Sequence, residues 1–379
     1  MGDKDSYTTC SYCIMDTSDP DIVFDDEGRC NHCRMALSKL KRYPLNLPIN
    51  ERRRKLGLLI NTIKIEGKRK KYDSIIGVSG GCDSTYTLVE SCRLGLRPLV
   101  VHMDNGWNTE LSVQNIERVV RKLGLDLHTK VLDWNSFRDL QLSFLKASVP
   151  DLEIPTDHAI FATLHDVAAK HNIRHIIFGS NWATESILPR KWSFGHQDWR
   201  YISGLHKRFG KIRLKDYPHF TPEKWAYMKL FRRITALPLL DYADYNKPVA
   251  ARMLTEEYGW RNYNVKHGES LYTIFVQSLV LPEKYGYDKR RAHLSSMICS
   301  GQTNREEALE KIKEPLFIGN EREELLELVS DKLGISLNEL EGYLQLENKH
   351  YDNYPNYMNS PLHKSLINVY LKTKKDGLH

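Results

Sequence analysis

The sequence predicts an α/β protein: a parallel sheet with helices on both faces, preceded by a small cysteine-bearing unit and followed by a mostly helical C-terminal region. Three observations predict it. From Tyr72 onward, short apolar runs alternate with amphipathic stretches, the pattern of βαβ units. One of the apolar runs ends in Ser79-Gly80-Gly81-Cys82-Asp83-Ser84-Thr85, directly before a helical pattern. Ahead of all this, Cys10-x-x-Cys13 is followed by Cys30-x-x-Cys33.

Residues 1–45 are expected to form a zinc ribbon. Two cysteine pairs suit a tetrahedral zinc, and Asp25, Asp26, Glu27 and Gly28 between them suit a hairpin turn. A set of four sulfurs leaves no open coordination position, so the zinc held by Cys10, Cys13, Cys30 and Cys33 would be structural. An iron–sulfur cluster also uses four cysteines and is the less favoured alternative. His32 is expected to be a bystander. Residues 46–71 read as a basic helical linker.

Residues 72–250 carry the alternating pattern. Strands are expected at 74–79, 97–103, 125–132 and 174–178, with helices at 83–94, 109–123 and 156–171. Residues 186–245 break the rhythm and read as an aromatic-rich insertion. Residues 251–379 are expected to be mostly helical, most clearly at 304–312 and 321–333. Ligands of a parallel sheet bind at the carboxyl ends of its strands, which is where the unusual motifs fall.

Composition narrows the partners. The 379 residues carry 55 Lys and Arg against 48 Asp and Glu, a formal charge of +7 that favours anionic ligands such as nucleotides, sugar nucleotides or nucleic acid. No apolar run approaches a membrane span, and the first five residues are polar, so a cytoplasmic protein is expected. Residue 2 is glycine, so loss of Met1 would expose no N-terminal cysteine nucleophile. No cysteine sits in a glutaminase context.

The glycine pair in Ser79–Thr85 lets the backbone turn tightly and approach a ligand. The hydroxyls and the amides of the following helix would face an anion, favoured there by the helix dipole. An ordinary strand-to-helix turn is the plainer alternative; the strand before and the helix after favour anion binding. The loop lacks the Gly-Lys-Ser/Thr ending of a Walker loop. Asp104-Asn105-Gly106 after the second strand and Gly179-Ser180-Asn181 before Glu185 after the fourth lie at the same end of the sheet.

The Ser-Gly-Gly-x-Asp-Ser loop resembles that of the PP-loop, or adenine nucleotide alpha hydrolase-like, ATP pyrophosphatases. Three further blocks narrow the resemblance: Cys-x-x-Cys-Ile-Met-Asp-Thr-Ser-Asp-Pro from Cys10, Cys-Asn-His-Cys from Cys30, and Lys-Tyr-Gly-Tyr-Asp-Lys-Arg-Arg-Ala-His-Leu-Ser from Lys284. Together they are similar to the N-acetyl sugar amidotransferases of the WbpG and PseA type, over nearly the whole chain. The resemblance implies that ATP is cleaved between its alpha and beta phosphates. An acetamido group on an activated sugar becomes an adenylated imidate, and ammonia then displaces AMP to leave an acetamidine. Such proteins act in lipopolysaccharide O-antigen or flagellin-glycan synthesis and take ammonia from a separate glutaminase, related to the histidine-biosynthesis glutaminase and its cyclase-like partner.

The same resemblance assigns residues. Ser79, Gly80, Gly81, Asp83, Ser84 and Thr85 would hold pyrophosphate and magnesium, with Asp83 and Ser84 acting in catalysis. Asp104 and Gly179 would face the adenosine, and Glu185 would help hold magnesium. Lys266 and Arg291, then Lys284 and Arg290, would meet phosphate or sugar-acid charge. Trp192, Trp199 and Tyr201 either cover the substrate or pack within the insertion. Two rivals remain: a tRNA-modifying thiolase-like enzyme using Cys82 or Cys299, and a non-catalytic zinc-ribbon nucleotide binder. No nucleic acid is expected on the favoured reading.

Overall fold

A computed structural model describes residues 7–263 and 268–360. Before the sheet come α1 (Asn31–Leu40) and α2 (Ile49–Gly67). The first strands and helices alternate: β1 (Ser74–Gly77), α3 (Cys82–Arg93), β2 (Pro98–Asp104), α4 (Glu110–Leu123) and β3 (Leu127–Val131). Then follow α5 (Trp134–Ala147), α6 (Ile154–Lys170), β4 (His175–Phe178), α7 (Trp182–Glu185), α8 (Trp199–Phe209), α9 (Pro222–Leu230) and β5 (Thr235–Pro238). After the last strand come α10 (Leu239–Tyr242), α11 (Lys247–Tyr258) and α12 (Leu271–Ile274), the last running into a π-helix (Phe275–Tyr285). The remaining helices are α13 (Lys289–Cys299), α14 (Arg305–Lys313), α15 (Glu321–Leu333) and α16 (Leu337–Leu344).

The strands form one parallel sheet in the order β3-β2-β1-β4-β5. β1 is central: Ile75 pairs with Leu99 of β2 and with Ile176 of β4. The chain therefore steps outward from β1 in one direction for β2 and β3 and in the other for β4 and β5. The carboxyl ends of β1 and β4 flank the point where the order reverses, the usual ligand crevice of such sheets.

Helices cover both faces because the strands are apolar on both. On one side Ile76, Val100 and Ile177 pack with Leu56 and Ile60 of α2, Leu88 of α3, Ile116 of α4 and Leu254 of α11. On the other, Ile75, Leu99 and Ile176 meet Ala162 and Val167 of α6 and Met228 of α9. Each such side chain, fully buried, contributes roughly 1.5–3 kcal/mol. Local signals set the helix bounds. In α4 the Thr109 side chain accepts from Ser112 N at the start, and Gly124 at φ 64° ends the helix in the left-handed conformation.

A further core joins parts distant in sequence. Cys10, Cys13, Cys30 and Cys33 pack in it with Phe144 of α5, Ile202 of α8, Phe275 of the π-helix, Ala292 of α13 and Val329 of α15. The cysteine-bearing unit has little regular structure of its own. It consists of antiparallel bridges Thr9–Asp16 and Phe24–Cys30, a turn closed by Gly28 N donating to Asp25 O at 2.9 Å, and α1.

Candidate active site

Three surfaces meet at the carboxyl end of β1. Gly80 takes φ +86°, and a Cβ there would lie 2.7 Å from Ser112 O, so only glycine lets the loop pass α4. Its carbonyl accepts from Trp260 Nε1 at 2.8 Å and Tyr263 OH at 3.0 Å, which pins the turn from the segment after α11. Ser79 Oγ and Ser84 Oγ stand 3.3 Å apart across the loop, and Gly81 N donates to Ser79 Oγ at 3.3 Å. Gly81 caps α3 without a side chain. The first-turn amides of that helix therefore have no side-chain acceptor and are available to an anion.

Gly179, expected beside the adenosine, lies against the loop itself. A Cβ on it would come within 2.9 Å of Ser84 N, so its bareness lets β4 close on the first turn of α3. Asp104 ends β2, and its Oδ1 accepts from Gly106 N at 2.9 Å and Asn108 Nδ2 at 3.3 Å, closing its own turn. Asn105 next to it donates to Thr156 Oγ1 at the head of α6, 3.3 Å away. Thr85 is buried. Glu185 is exposed, at the end of α7.

Asp83 has partners that sequence reasoning missed. Its carboxylate accepts from Tyr245 OH in a short bond and stands 3.4 Å from the ammonium of Lys247. Burial pulls the Lys247 ammonium down, but Asp83 and the neighbouring charges more than offset it, and its pKa is raised. Lys247 opens α11, behind the Asn246 cap. Its signal in the sequence is Asn-Lys-Pro after a strand, and it went unseen because that strand, β5, is four residues long and ends in proline.

A second charged group gathers at the head of α6. Glu153 accepts from Thr273 Oγ1 at 2.5 Å and Gln277 Nε2 at 3.0 Å, and it lies 3.8 Å from Lys289 Nζ. Burial lowers the Lys289 pKa, yet Glu153, Asp151, Asp157 and Glu185 raise it on balance. Asp157, on the first turn of α6, keeps surface open to solvent while packed protein crowds its carboxyl. The carboxyl is pushed up to about 8, first by that crowding, which keeps water from part of it, and then by Glu153 and Asp151. Glu185 adds its charge to both Lys247 and Lys289, which ties the two sides together.

The basic residues expected at phosphate or sugar-acid charge have protein partners here. Arg291 pairs with the buried Asp16 at 2.9 Å and donates to Ile14 O at 2.9 Å and Tyr7 OH at 3.0 Å, so it fastens the cysteine unit to α13. Arg290 forks onto Asp288 and reaches Glu314 O at 2.8 Å. Lys284 donates to Leu344 O at 2.7 Å. Arg290 and Arg291 are thus each paired with a carboxylate, while Lys284 is held by backbone carbonyls. Lys266 lies outside the described residues. Trp192 stacks on Tyr287 beyond the insertion, and Trp199 stacks among His158 of α6, Tyr217 and His219, so each packs against protein. Tyr201 is buried against Phe144.

The four cysteines converge. One sulfur from each of Cys10, Cys13, Cys30 and Cys33 lies within 4.8 Å of all the others, and all four residues are buried. Sulfurs that close fit a single tetrahedral ion, and among the described residues no other group of three or more His, Cys, Asp or Glu does so. His32 stands aside, bonded to Asp19. The unit is wired to α13 and α14. Arg305 donates to Cys10 O and Cys13 O, and Ile14 N to Ser295 Oγ of α13. Helix α13 in turn holds the α7 region, through His293 to Thr184 O at 3.0 Å and Ile187 N to Ser296 Oγ at 3.0 Å.

Comparison with known proteins agrees in part of the chain. Residues 269–368 match the family model described as LPS biosynthesis protein WbpG-like, C-terminal domain. No curated protein matches the chain. Among solved structures, an NH3-dependent NAD synthetase from Campylobacter jejuni is similar at 16% identity and TM-score 0.32, over 72% of this chain and 100% of that one. An NMN synthetase from Francisella tularensis is similar at 14% and 0.29, over 53% and 75%. A predicted subunit of tRNA methyltransferase from Methanocaldococcus jannaschii is similar at 16% and 0.28, over 48% and 74%. Residues 269–368 are therefore similar to that C-terminal domain, and they follow a parallel sheet whose central strand ends in the Ser79–Thr85 loop.

Proposed function

We propose that the protein is an ATP-dependent amidotransferase that converts an acetamido group of an activated sugar into an acetamidino group. The observation that carries this is the joining of two parts in one chain: an uncapped Gly-Gly loop at the sheet's reversal point, and residues 269–368, which match the WbpG-like C-terminal domain. ATP would bind with its phosphates on the α3 amides, between Ser79 and Ser84, with the half-buried Lys247 beside Asp83 as a cation at the loop. Lys247 takes the place that the sequence assigned to Arg291.

An amide oxygen is a poor leaving group, and transfer of AMP to it makes it a good one. The oxygen attacks the alpha phosphorus, the alpha–beta bridge breaks, and pyrophosphate leaves toward the loop. Ammonia then adds to the imidate carbon, loses a proton and displaces AMP. The chain's contribution is positioning and charge. Lys247 and the loop amides offset the charge growing on pyrophosphate. Asp157 and Glu153 mark where a cationic nucleophile precursor would wait, and Asp157 is poised to exchange a proton near neutral pH. Magnesium would arrive with the triphosphate, with Asp83 and Glu185 as the protein groups facing it; it would offset phosphate charge. Zinc at the four cysteines would be structural.

Ammonia would come from a separate glutaminase, and the product would enter a bacterial surface glycan, lipopolysaccharide or flagellin-linked, made in the cytoplasm. Among the described residues no helix is long and apolar enough to cross a membrane. The thiolase-like alternative fares worse at Cys82: burial and Asp83 push its thiol up to about 11, the opposite of an activated sulfur carrier. The test is incubation with ATP, magnesium, ammonium and a panel of acetamido sugars. AMP and pyrophosphate formed only when sugar is present support the proposal; AMP formed on tRNA instead would transfer the chain to the rival class.

A further inference from the structure

The strands of a parallel sheet all begin at one end, and here that end is cationic. The chain enters β1 through Lys68-Arg69-Lys70-Lys71, β2 through Arg97, β4 through Arg174 and β5 through Arg232-Arg233. Three acids share these turns, and each already has a cation: Glu66 lies 3.5 Å from Arg174, Asp73 3.6 Å from Arg97 and Asp126 2.9 Å from Lys71. Lys68, Arg69, Lys70, Arg232 and Arg233 form no ion pair with a described carboxylate. Lys70 and Arg232 donate instead to the carbonyls of Asn172 and Ala169, which leave their charge uncancelled.

The turns make one surface. Arg97 Nη1 donates to Lys70 O at 2.9 Å and Lys70 Nζ to Asn172 O at 2.6 Å, which joins the entries to β1, β2 and β4. Glu66 lies 3.1 Å from His175 Nε2, and His175 Nδ1 lies 3.0 Å from Thr235 Oγ1, which carries the row to β5. Apolar side chains stand out from the same end. Among the described residues, four large hydrophobics are more than 70% exposed: Ile65, Leu230, Phe231 and Ile318. The first three border the cationic turns, Ile65 beside Glu66 in the last turn of α2, and Leu230 and Phe231 directly before Arg232.

The mixture selects its partner. A nucleic-acid backbone would satisfy the cations but offer Ile65 and Leu230 nothing apolar. Protein interfaces are depleted in lysine, and Lys68, Lys70 and Lys71 crowd this one. The surface of an anionic bilayer takes both components, headgroup phosphates on Lys and Arg and the acyl boundary on Ile, Leu and Phe. β2 spans seven residues, so roughly 20 Å separates this end of the sheet from the Ser79–Thr85 loop, which would stay clear of the lipid.

We propose that the amino end of the sheet docks on an anionic bilayer, with Lys68, Arg69, Arg232 and Arg233 among the headgroups and Ile65, Leu230 and Phe231 in the boundary beneath. Docking needs neither ATP nor sugar, so it is independent of the amidotransferase reading.

The test sediments the full-length, zinc-loaded protein with vesicles of phosphatidylcholine, alone or mixed with phosphatidylglycerol, at about 0.1 M salt. The mixed vesicles should bind at least about tenfold more tightly, a margin that one or two cations at the surface supply. K68Q/R69Q should lose that margin. L230S/F231S should weaken binding to the mixed vesicles by about tenfold or more. Both should keep the wild-type melting temperature and ATP affinity; if L230S/F231S melts early, I65S on α2 reads the same contact. K311Q/K313Q removes as many charges from α14 and should bind like wild type. No binding, equal binding to the two vesicles, an equal loss in K311Q/K313Q, or apolar variants that bind like wild type would each overturn the proposal. Retention of tRNA with no vesicle binding would overturn it in favour of nucleic acid.

Discussion

Replacing Arg291 with methionine separates a structural role from a catalytic one. In the wild type its guanidinium meets Asp16, which is 1% exposed, at 2.9 Å and adds bonds to Ile14 O and Tyr7 OH. Removing one partner of a buried ion pair costs about 3–5 kcal/mol, because the other charge is left uncompensated. Asp16 would keep donors at Ser18 N, Ser18 Oγ and Tyr7 OH, which puts the cost near the lower end, about 3 kcal/mol. Ile14 and Asp16 lie one and three residues after Cys13, so the loss falls on the cysteine unit. If that unit must stay docked to hold zinc, about 3 kcal/mol corresponds to roughly a hundredfold weaker retention. A chromophoric chelator competed against the purified protein reads this directly, beside a thermal melt. The second change D16N, made on top of R291M, should recover part of the loss by removing the stranded charge. If R291M kept its zinc and its melting temperature but lost AMP formation, the guanidinium would be acting on phosphate after all, and the structural assignment would be wrong.

Other outcomes follow from the same geometry. Lys247→Ala should raise the KM for ATP by about ten- to a hundredfold, the loss of one charge-assisted contact, with little effect on the melt; initial rates of pyrophosphate release check it. Gly80→Ala puts a Cβ 2.7 Å from Ser112 O at φ +86°, so nucleotide binding should be lost and stability reduced by about 1–3 kcal/mol, measurable with a fluorescent ATP analogue and denaturant titration. Asp157→Asn tests the acidic cluster. With its folded pKa pushed up to about 8, Asp157 holds a proton from its unfolded value near 4 upward, so wild-type stability falls as pH rises through that window. The variant should match wild type near pH 4 and melt higher by pH 8. Its advantage should be about 1 kcal/mol, because the carboxylate is open to solvent and screened. A variant less stable than wild type at pH 8 would contradict the assignment.

The sheet was largely legible because β1, β2 and β4 hold short apolar runs bounded by Gly, Pro and charged residues, and the alternation of such runs with amphipathic helices marks the βαβ order. Helix α5 was not, since its buried positions include Ser136, Asp139, Gln141 and Ser143, which blur the apolar stripe. Gln141 accepts from Trp107 Nε1 at 2.8 Å and Asp139 from the amides of residues 211 and 212, contacts that no local pattern announces. Strand β5 hid for a simpler reason, being four residues with two of them exposed. At the site, the loop and the four cysteines could be read directly because backbone geometry and metal geometry impose their spacing. The cations could not. Arg290, Arg291 and Lys289 are adjacent in sequence, yet α13 turns Arg290 to Asp288, Arg291 to the cysteine unit and Lys289 to Glu153. Which partner each of three neighbouring charges meets is set by helix phase and by residues hundreds of positions away, such as Asp16.

The most direct test of the proposed activity is the mass of the sugar after reaction. With ATP, magnesium, ammonium and the right activated acetamido sugar, exchange of oxygen for NH should make the product lighter by about one mass unit, with one AMP and one pyrophosphate formed per sugar. A sugar of unchanged mass, or ATP split to ADP and phosphate, would contradict it.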